Sequence, residues 1–222
     1  GEILAARGAA GAGIPYCLST FSVASIEEVA AAAPEADKWF QLYFVKDRTL
    51  LNSLLDRARA ANFRVLCVSV DLPVAGRRDR DVRNGFTVPP QFSWRGAFEF
   101  ASHPAWLLGA LRAPVTFGNF ESNRTSQGFG SLAKHIGTLF DPAANWEDIA
   151  RLRDIWKGPM ILKGLLHPAD AERAVGLGID GLSASNHGGR QLDGSPSALD
   201  ALVEIAGVAR GQSSAVSTVS TT

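Results

Sequence analysis

Residues Ser185 to Gly194 read Ser-Asn-His-Gly-Gly-Arg-Gln-Leu-Asp-Gly. The stretch holds a general-base candidate, His187, and a cation three residues on, Arg190, with Gly188 and Gly189 between them. An imidazole takes and releases a proton near neutral pH. A guanidinium can clamp a carboxylate through two parallel hydrogen bonds. Paired glycines let the backbone turn sharply or approach a ligand closely. The competing reading is an ordinary strand-to-helix loop with a solvent-facing histidine.

Other residues could join His187. Asp71 follows the apolar run Val65 to Val70 and could hold the imidazole in one tautomer and stabilise the imidazolium; otherwise it is a loop cap. Arg78 is a second candidate for the carboxylate clamp, or else a solvated member of the charged run 76–84. Tyr43 could hydrogen-bond a substrate carboxylate or hydroxyl, or pack as a strand aromatic. Lys163 directly follows Met160-Ile161-Leu162, and a lysine on a buried strand needs an anion or an electron-rich partner. It could stabilise charge on a cofactor ring, act as a Schiff-base amine or pair with a carboxylate. Gln41 and Ser69 offer neutral hydrogen bonds to a polar heterocycle. A base, a carboxylate clamp and a lysine near a heterocycle suggest removal of an α-proton or hydride from a 2-hydroxy acid onto a flavin. The same residues permit an aldolase or an isomerase. No GxGxxG follows a strand and no GxxxxGK[ST] occurs, so Rossmann and P-loop chemistry lose support.

These groups must be positioned by alternating strands and helices. Apolar strand patterns fall at 14–18, 39–44, 65–70, 159–164 and 181–184, and helical patterns at 2–12, 25–33, 49–61, 146–156, 168–177 and 197–209. Ser25 and Glu28 stand at capping-box spacing, Asn145 caps the helix pattern at 146–156, and Pro168 opens another. Polar residues close several strands: Ser19, Gln41 with Tyr43, Ser69 with Asp71, Lys163, and Asn186 with His187. In a (β/α)8 TIM barrel those positions surround one pocket. Eight strands are required and five are legible, so the fold class is an α/β barrel truncated at both ends. Residues 74–144 interrupt the rhythm as an excursion: charged at first, then aromatic and apolar over 92–117, then Gly/Ser-rich with a short helix expected near 132–136. The Ser/Thr-rich tail, 211–222, reads as disordered.

Composition narrows the class. The 222 residues carry 22 basic and 22 acidic side chains, so no basic surplus marks a nucleic-acid partner. Cys17 and Cys67 sit in apolar runs and read as buried free thiols, and the four histidines lack metal-ligand spacing. No apolar run approaches the ~18 residues of a membrane span. A cytoplasmic setting is expected. The chain opens directly on a helical pattern, so its start is expected to fall inside a longer domain.

The motif at 185–193 resembles the signature of the FMN-dependent L-2-hydroxy-acid dehydrogenase and oxidase family. Further matches follow in family order: Leu18-Ser19-Thr20 with Ser25-Ile26-Glu27-Glu28-Val29, Gln41-Leu42-Tyr43, Val70-Asp71 with 76–81, and Leu162-Lys163-Gly164. The resemblance spans 1–209 and implies a (β/α)8 barrel binding FMN at the carboxyl ends of its strands. It implies that His187 is the catalytic base, Asp71 its partner, and Arg78 and Arg190 the holders of the substrate carboxylate, with Arg78 also stabilising negative charge. Tyr43 would stand beside the substrate. Ser19, Gln41, Ser69 and Lys163 would contact the flavin, Lys163 near its N1–C2 carbonyl edge. Ser69 stands where many members have threonine. Phe21 occupies a position that varies with substrate and acceptor and is tryptophan in glycolate oxidases, which weakens a glycolate assignment.

Residues 102–106 and 145–156 look more like the membrane-associated mandelate and lactate dehydrogenases. That likeness implies a lactate- or mandelate-like substrate, a quinone or respiratory acceptor, and contact with the inner face of the cell membrane through 92–117. It also implies a homo-oligomer at full length. The bland reading of 92–117 is packing over the barrel or a subunit interface. An oxygen-dependent oxidase on the same scaffold is one alternative. Another is an inactive remnant keeping only membrane or partner contacts. The family's first strand, its N-terminal tyrosine and its last two strands find no match here, which implies a fragment or a shifted reading frame near residue 210. The intact parent is then expected to be active, and this chain to bind FMN weakly and fold marginally.

Overall fold

The computed structural model describes residues 1–73, 76, 79–83, 94–112, 117–120, 138–209 and 216–219. The strands are β1 (Tyr16–Ser19), β2 (Lys38–Tyr43), β3 (Val65–Ser69), β4 (Met160–Leu165), β5 (Gly181–Ala184) and β6 (Val216–Val219). The helices are α1 (Glu2–Ala12), α2 (Ile26–Ala32), α3 (Arg48–Ala60), α4 (Asp79–Arg83), α5 (Trp94–Ser102), α6 (Pro104–Arg112), α7 (Trp146–Ile155), α8 (Pro168–Gly176) and α9 (Ala198–Ala209). All strand pairs are parallel and follow chain order from β1 to β6. This is the arc of a (β/α)8 TIM barrel, with six of the eight strands that closure needs among the described residues.

The strand period of two divides the sheet into two faces. Leu18, Phe40, Leu42, Leu66, Val68, Met160, Leu162 and Leu182 are buried beneath the helices. Each such side chain contributes roughly 1.5–3 kcal/mol by leaving water. Their neighbours Cys17, Ser19, Trp39, Gln41, Tyr43, Cys67, Ser69, Ile161, Lys163 and Ser183 line the opposite, concave face. One face is therefore core and the other is chemistry.

Local signals fix the helix starts. Ser25 Oγ accepts from Glu28 N at 3.1 Å, and Glu28 Oε2 accepts from Ser25 N at 2.8 Å, closing the expected capping box. Asn145 and Asp148 form a second box on α7. His167 Nδ1 caps α8, with Pro168 at its first turn.

Two expectations are corrected. The tail is not wholly without structure, because Val216–Val219 pairs in parallel with β5 as a sixth strand. Without it the backbone groups along that edge of β5 would go unpaired, and Val-Ser-Thr-Val suits an extended chain. Cys17 is exposed rather than buried, because it lies on the edge strand β1, whereas Cys67 on the interior strand β3 is buried. The short helix expected near 132–136 lies outside the described residues.

Candidate active site

The concave face bounds a cavity of about 520 Å³, and His187 stands at its rim beside Tyr43. His187 has φ 56°, Gly188 65° and Gly189 70°, three successive left-handed residues. The glycines adopt this conformation freely, while a side-chain-bearing residue loses roughly 1–2 kcal/mol there. Asn186 and Ser185 stabilise the turn. Asn186 Oδ1 accepts from Gly189 N at 3.1 Å, and Ser185 Oγ accepts from His187 N at 3.1 Å.

The turn brings the imidazole between two groups distant in sequence. Nδ1 lies 2.5 Å from Asp71 Oδ2, and Nε2 lies 3.2 Å from the Tyr43 hydroxyl. A carboxylate only accepts hydrogen bonds, so Nδ1 carries the hydrogen it donates to Asp71. Nε2 then presents a lone pair toward Tyr43 and the cavity. Asp71 Oδ2 also faces Lys163 Nζ at 3.8 Å, and Lys163 Nζ donates to Ser185 Oγ at 3.1 Å. Asp71 Oδ1 is buried and has no hydrogen-bond partner among the described residues.

Gly164 makes room for this arrangement. It has φ 112°, and the register of β4 against β5 shifts across it. A Cβ there would stand 2.5 Å from the Asp71 Cβ.

Deeper in the cavity, Ser19 Oγ donates to Gln41 Oε1 at 3.0 Å, and Gln41 Nε2 donates to Ser69 Oγ at 3.0 Å. The chain of amide and hydroxyls spans β1, β2 and β3. Trp39 Nε1, also at the cavity, is buried without a partner among the described residues. Below them the neighbouring Cys67 thiol pushes the Cys17 thiol up, while Cys17 and the Lys163 charge hold the Cys67 thiol down.

The structure thus brings together His187, Asp71, Tyr43, Lys163, Ser19, Gln41 and Ser69. Arg190 is exposed on the loop beyond His187. Its neighbour Gln191 accepts from Gly76 N at 3.1 Å, which ties that loop to the one following β3. Arg78 lies outside the described residues. Two further contributors carry little signal in the sequence. Ser185 supports both Lys163 and the His187 backbone, and its place inside the motif was the available signal. Asn119 supports the loop after Ser19 from within the excursion, where no spacing marked it.

Residues 1–217 match the FMN-dependent dehydrogenase family. The chain is 45% identical over 215 residues to an L-lactate dehydrogenase of Xanthomonas euvesicatoria pv. vesicatoria (strain 85-10), a match covering 96% of this chain and 55% of that protein. It therefore spans about half the length of this curated relative. Among solved structures, the monotopic membrane protein (S)-mandelate dehydrogenase superposes with a TM-score of 0.90 at 34% identity, covering 100% of this chain and 58% of the other. A mandelate oxidase superposes with a TM-score of 0.75 at 35% identity, covering 99% and 54%. With nearly its whole length matched, this chain belongs to the FMN-dependent dehydrogenase family.

Proposed function

We propose that this chain carries the substrate side and the flavin-ring side of an enzyme oxidising an L-2-hydroxy acid of lactate type to the 2-oxo acid. The observation that carries the reading is the line Asp71–His187–Tyr43 at the rim of the cavity. Oxidation removes two electrons and two protons from the carbinol carbon and its hydroxyl. His187 Nε2 takes one of those protons, and Asp71 stabilises the resulting imidazolium through Nδ1. Tyr43 hydrogen-bonds the substrate oxygen beside the base. Arg190 and Arg78 hold the substrate carboxylate, and Arg78 also opposes negative charge as it develops.

The cavity residues fit FMN. A flavin ring edge alternates carbonyl and ring-nitrogen acceptors and donors. Ser19, Gln41 and Ser69 offer both kinds of group in one line, and Lys163 brings a cation to the same face. When bound, FMN supplies the two-electron acceptor.

A small substrate side chain is favoured by the aromatic group beside Tyr43. Phe21 packs 5.5 Å from Tyr43, and Phe140 also packs 5.5 Å from it, centroid to centroid. The likeness to an L-lactate dehydrogenase supports the same choice.

A quinone or respiratory acceptor reached from a membrane surface is favoured over oxygen. Helices α5 and α6 expose Trp94 (93%), Phe98 (78%), Trp106 (58%) and Leu108 (52%). Phe100 stacks on Trp106 at 5.3 Å and joins the two helices. No helix among the described residues is long and apolar enough to cross a membrane. Such helices suit contact with one leaflet. The monotopic mandelate dehydrogenase also superposes more closely than the mandelate oxidase.

The test is an FMN titration followed by anaerobic L-lactate. Bound flavin that loses its oxidised absorbance on addition of L-lactate, and reoxidises faster with a quinone than with oxygen, is expected. No bound flavin, or bound flavin left oxidised, sinks the proposal.

A further inference from the structure

The Asn119 side chain is 1% exposed and makes hydrogen bonds along one short loop. Its Oδ1 accepts from Ile26 N at 2.9 Å. Its Nδ2 donates to Thr20 O at 3.0 Å, to Ser22 Oγ at 3.2 Å and, longer, to Ser19 O at 3.4 Å. The loop so held runs from β1 to α2 and carries Phe21 near its start. The turn containing Asn119 is closed by Phe120 N donating to Phe117 O at 3.0 Å. Phe120 then stacks on Phe21 at 5.3 Å with an interplanar angle of 11°. Gly118 lets the turn seat, since a Cβ there would collide with the backbone of Ser25. Arg57 anchors the turn from α3 by donating to Asn119 O at 2.9 Å.

We infer that the Phe117–Phe120 turn, acting through Asn119, is a positioning element that sets where Phe21 stands against Tyr43. This inference rests on the proposed hydroxy-acid oxidation. Only an amide satisfies the site, because one oxygen must accept from a backbone N–H while one nitrogen donates to backbone carbonyls. An aspartate of the same shape turns a carboxylate oxygen toward those carbonyls. Asn119 touches no reacting atom. It acts through Phe21 and Ser19, one on the substrate side and one on the flavin side.

The test compares FMN-loaded wild type with Asn119→Asp, Asn119→Ala and Phe120→Leu. With 2-hydroxy acids bearing a methyl or a phenyl group, the Asn119 variants raise KM for the methyl compound about tenfold, keep kcat within about twofold and narrow the preference between the two. Unchanged KM and preference overturn the inference. If the Asn119 variants do not fold, Phe120→Leu keeps every Asn119 hydrogen bond and is expected to narrow the preference alone; an unaltered preference overturns it. If the wild type takes up no FMN, the proposed oxidation fails and hydrogen exchange decides the inference separately. Asn119→Ala then loses about tenfold protection over 19–26 with 65–69 unaffected. Equal protection over 19–26 overturns it.

Discussion

Gly164 leaves the space that Asp71 fills: a Cβ at position 164 would lie 2.5 Å from the Asp71 Cβ and 2.6 Å from its Cγ. Asp71 is the residue that holds His187, so a backbone feature of β4 governs the geometry of an imidazole carried on the loop after β5. Gly164→Ala combines this collision with φ 112°. The expected cost is about 1–3 kcal/mol of stability, with a fall in kcat larger than the change in FMN affinity. Thermal unfolding and steady-state kinetics check it.

Asp71→Asn keeps the shape but offers His187 Nδ1 either an amide donor or a neutral acceptor. The tautomer that presents a lone pair at Nε2 is no longer enforced, and the imidazolium loses its counter-charge. The rate of flavin reduction by substrate is expected to fall by about 10²–10⁴, with FMN affinity much less affected. Stopped-flow reduction reads this directly.

Much of the positioning frame is legible in the sequence. The strands β1 to β5 follow from short apolar runs ending in polar residues, and Ser19, Gln41, Ser69 and Lys163 close those runs where one cavity gathers them. The Ser25–Glu28 box and the Asn145 cap were readable because their partners are three residues apart or fewer. The tail strand was not readable, since its stability comes from the edge of β5 and not from its own pattern. Nor does the apolar setting of Cys17 reveal that its strand lies at the edge of the sheet. Asn119 was hidden for a related reason. Its partners lie 93 to 100 positions away and are mostly backbone groups, which carry no residue-type signal.

Acid should loosen the junction of α3 with α7. Burial pushes the Asp148 carboxyl up, but the Arg151 hydrogen bond, the Asn145 backbone and the Arg48 charge outweigh it and hold the carboxyl below its ordinary range. A carboxyl lowered in the folded state contributes its stability above the unfolded value, about 3.9, and loses it as pH falls through the folded value. Unfolding temperature should therefore drop as the medium is acidified below about pH 4. Asp148→Asn should lower stability near neutrality and flatten that acid limb. Melting curves across pH check both.

The exposed aromatics of α5 and α6 should bind lipid. Phe98→Ser with Trp106→Ser removes two large apolar side chains, which are 78% and 58% exposed. Partitioning onto anionic phospholipid vesicles is expected to fall by at least about tenfold, with flavin reduction by L-lactate unchanged. Vesicle co-sedimentation measures the first and anaerobic reduction the second.

The most direct measurement is anaerobic reduction of bound FMN by L-lactate in His187→Gln beside the wild type. A neutral amide near the imidazole's position cannot take a proton near neutral pH. Bound flavin should remain, and its reduction should slow by at least about 10²-fold. Reduction at the wild-type rate in His187→Gln, with flavin bound, would contradict the assignment of the imidazole as base.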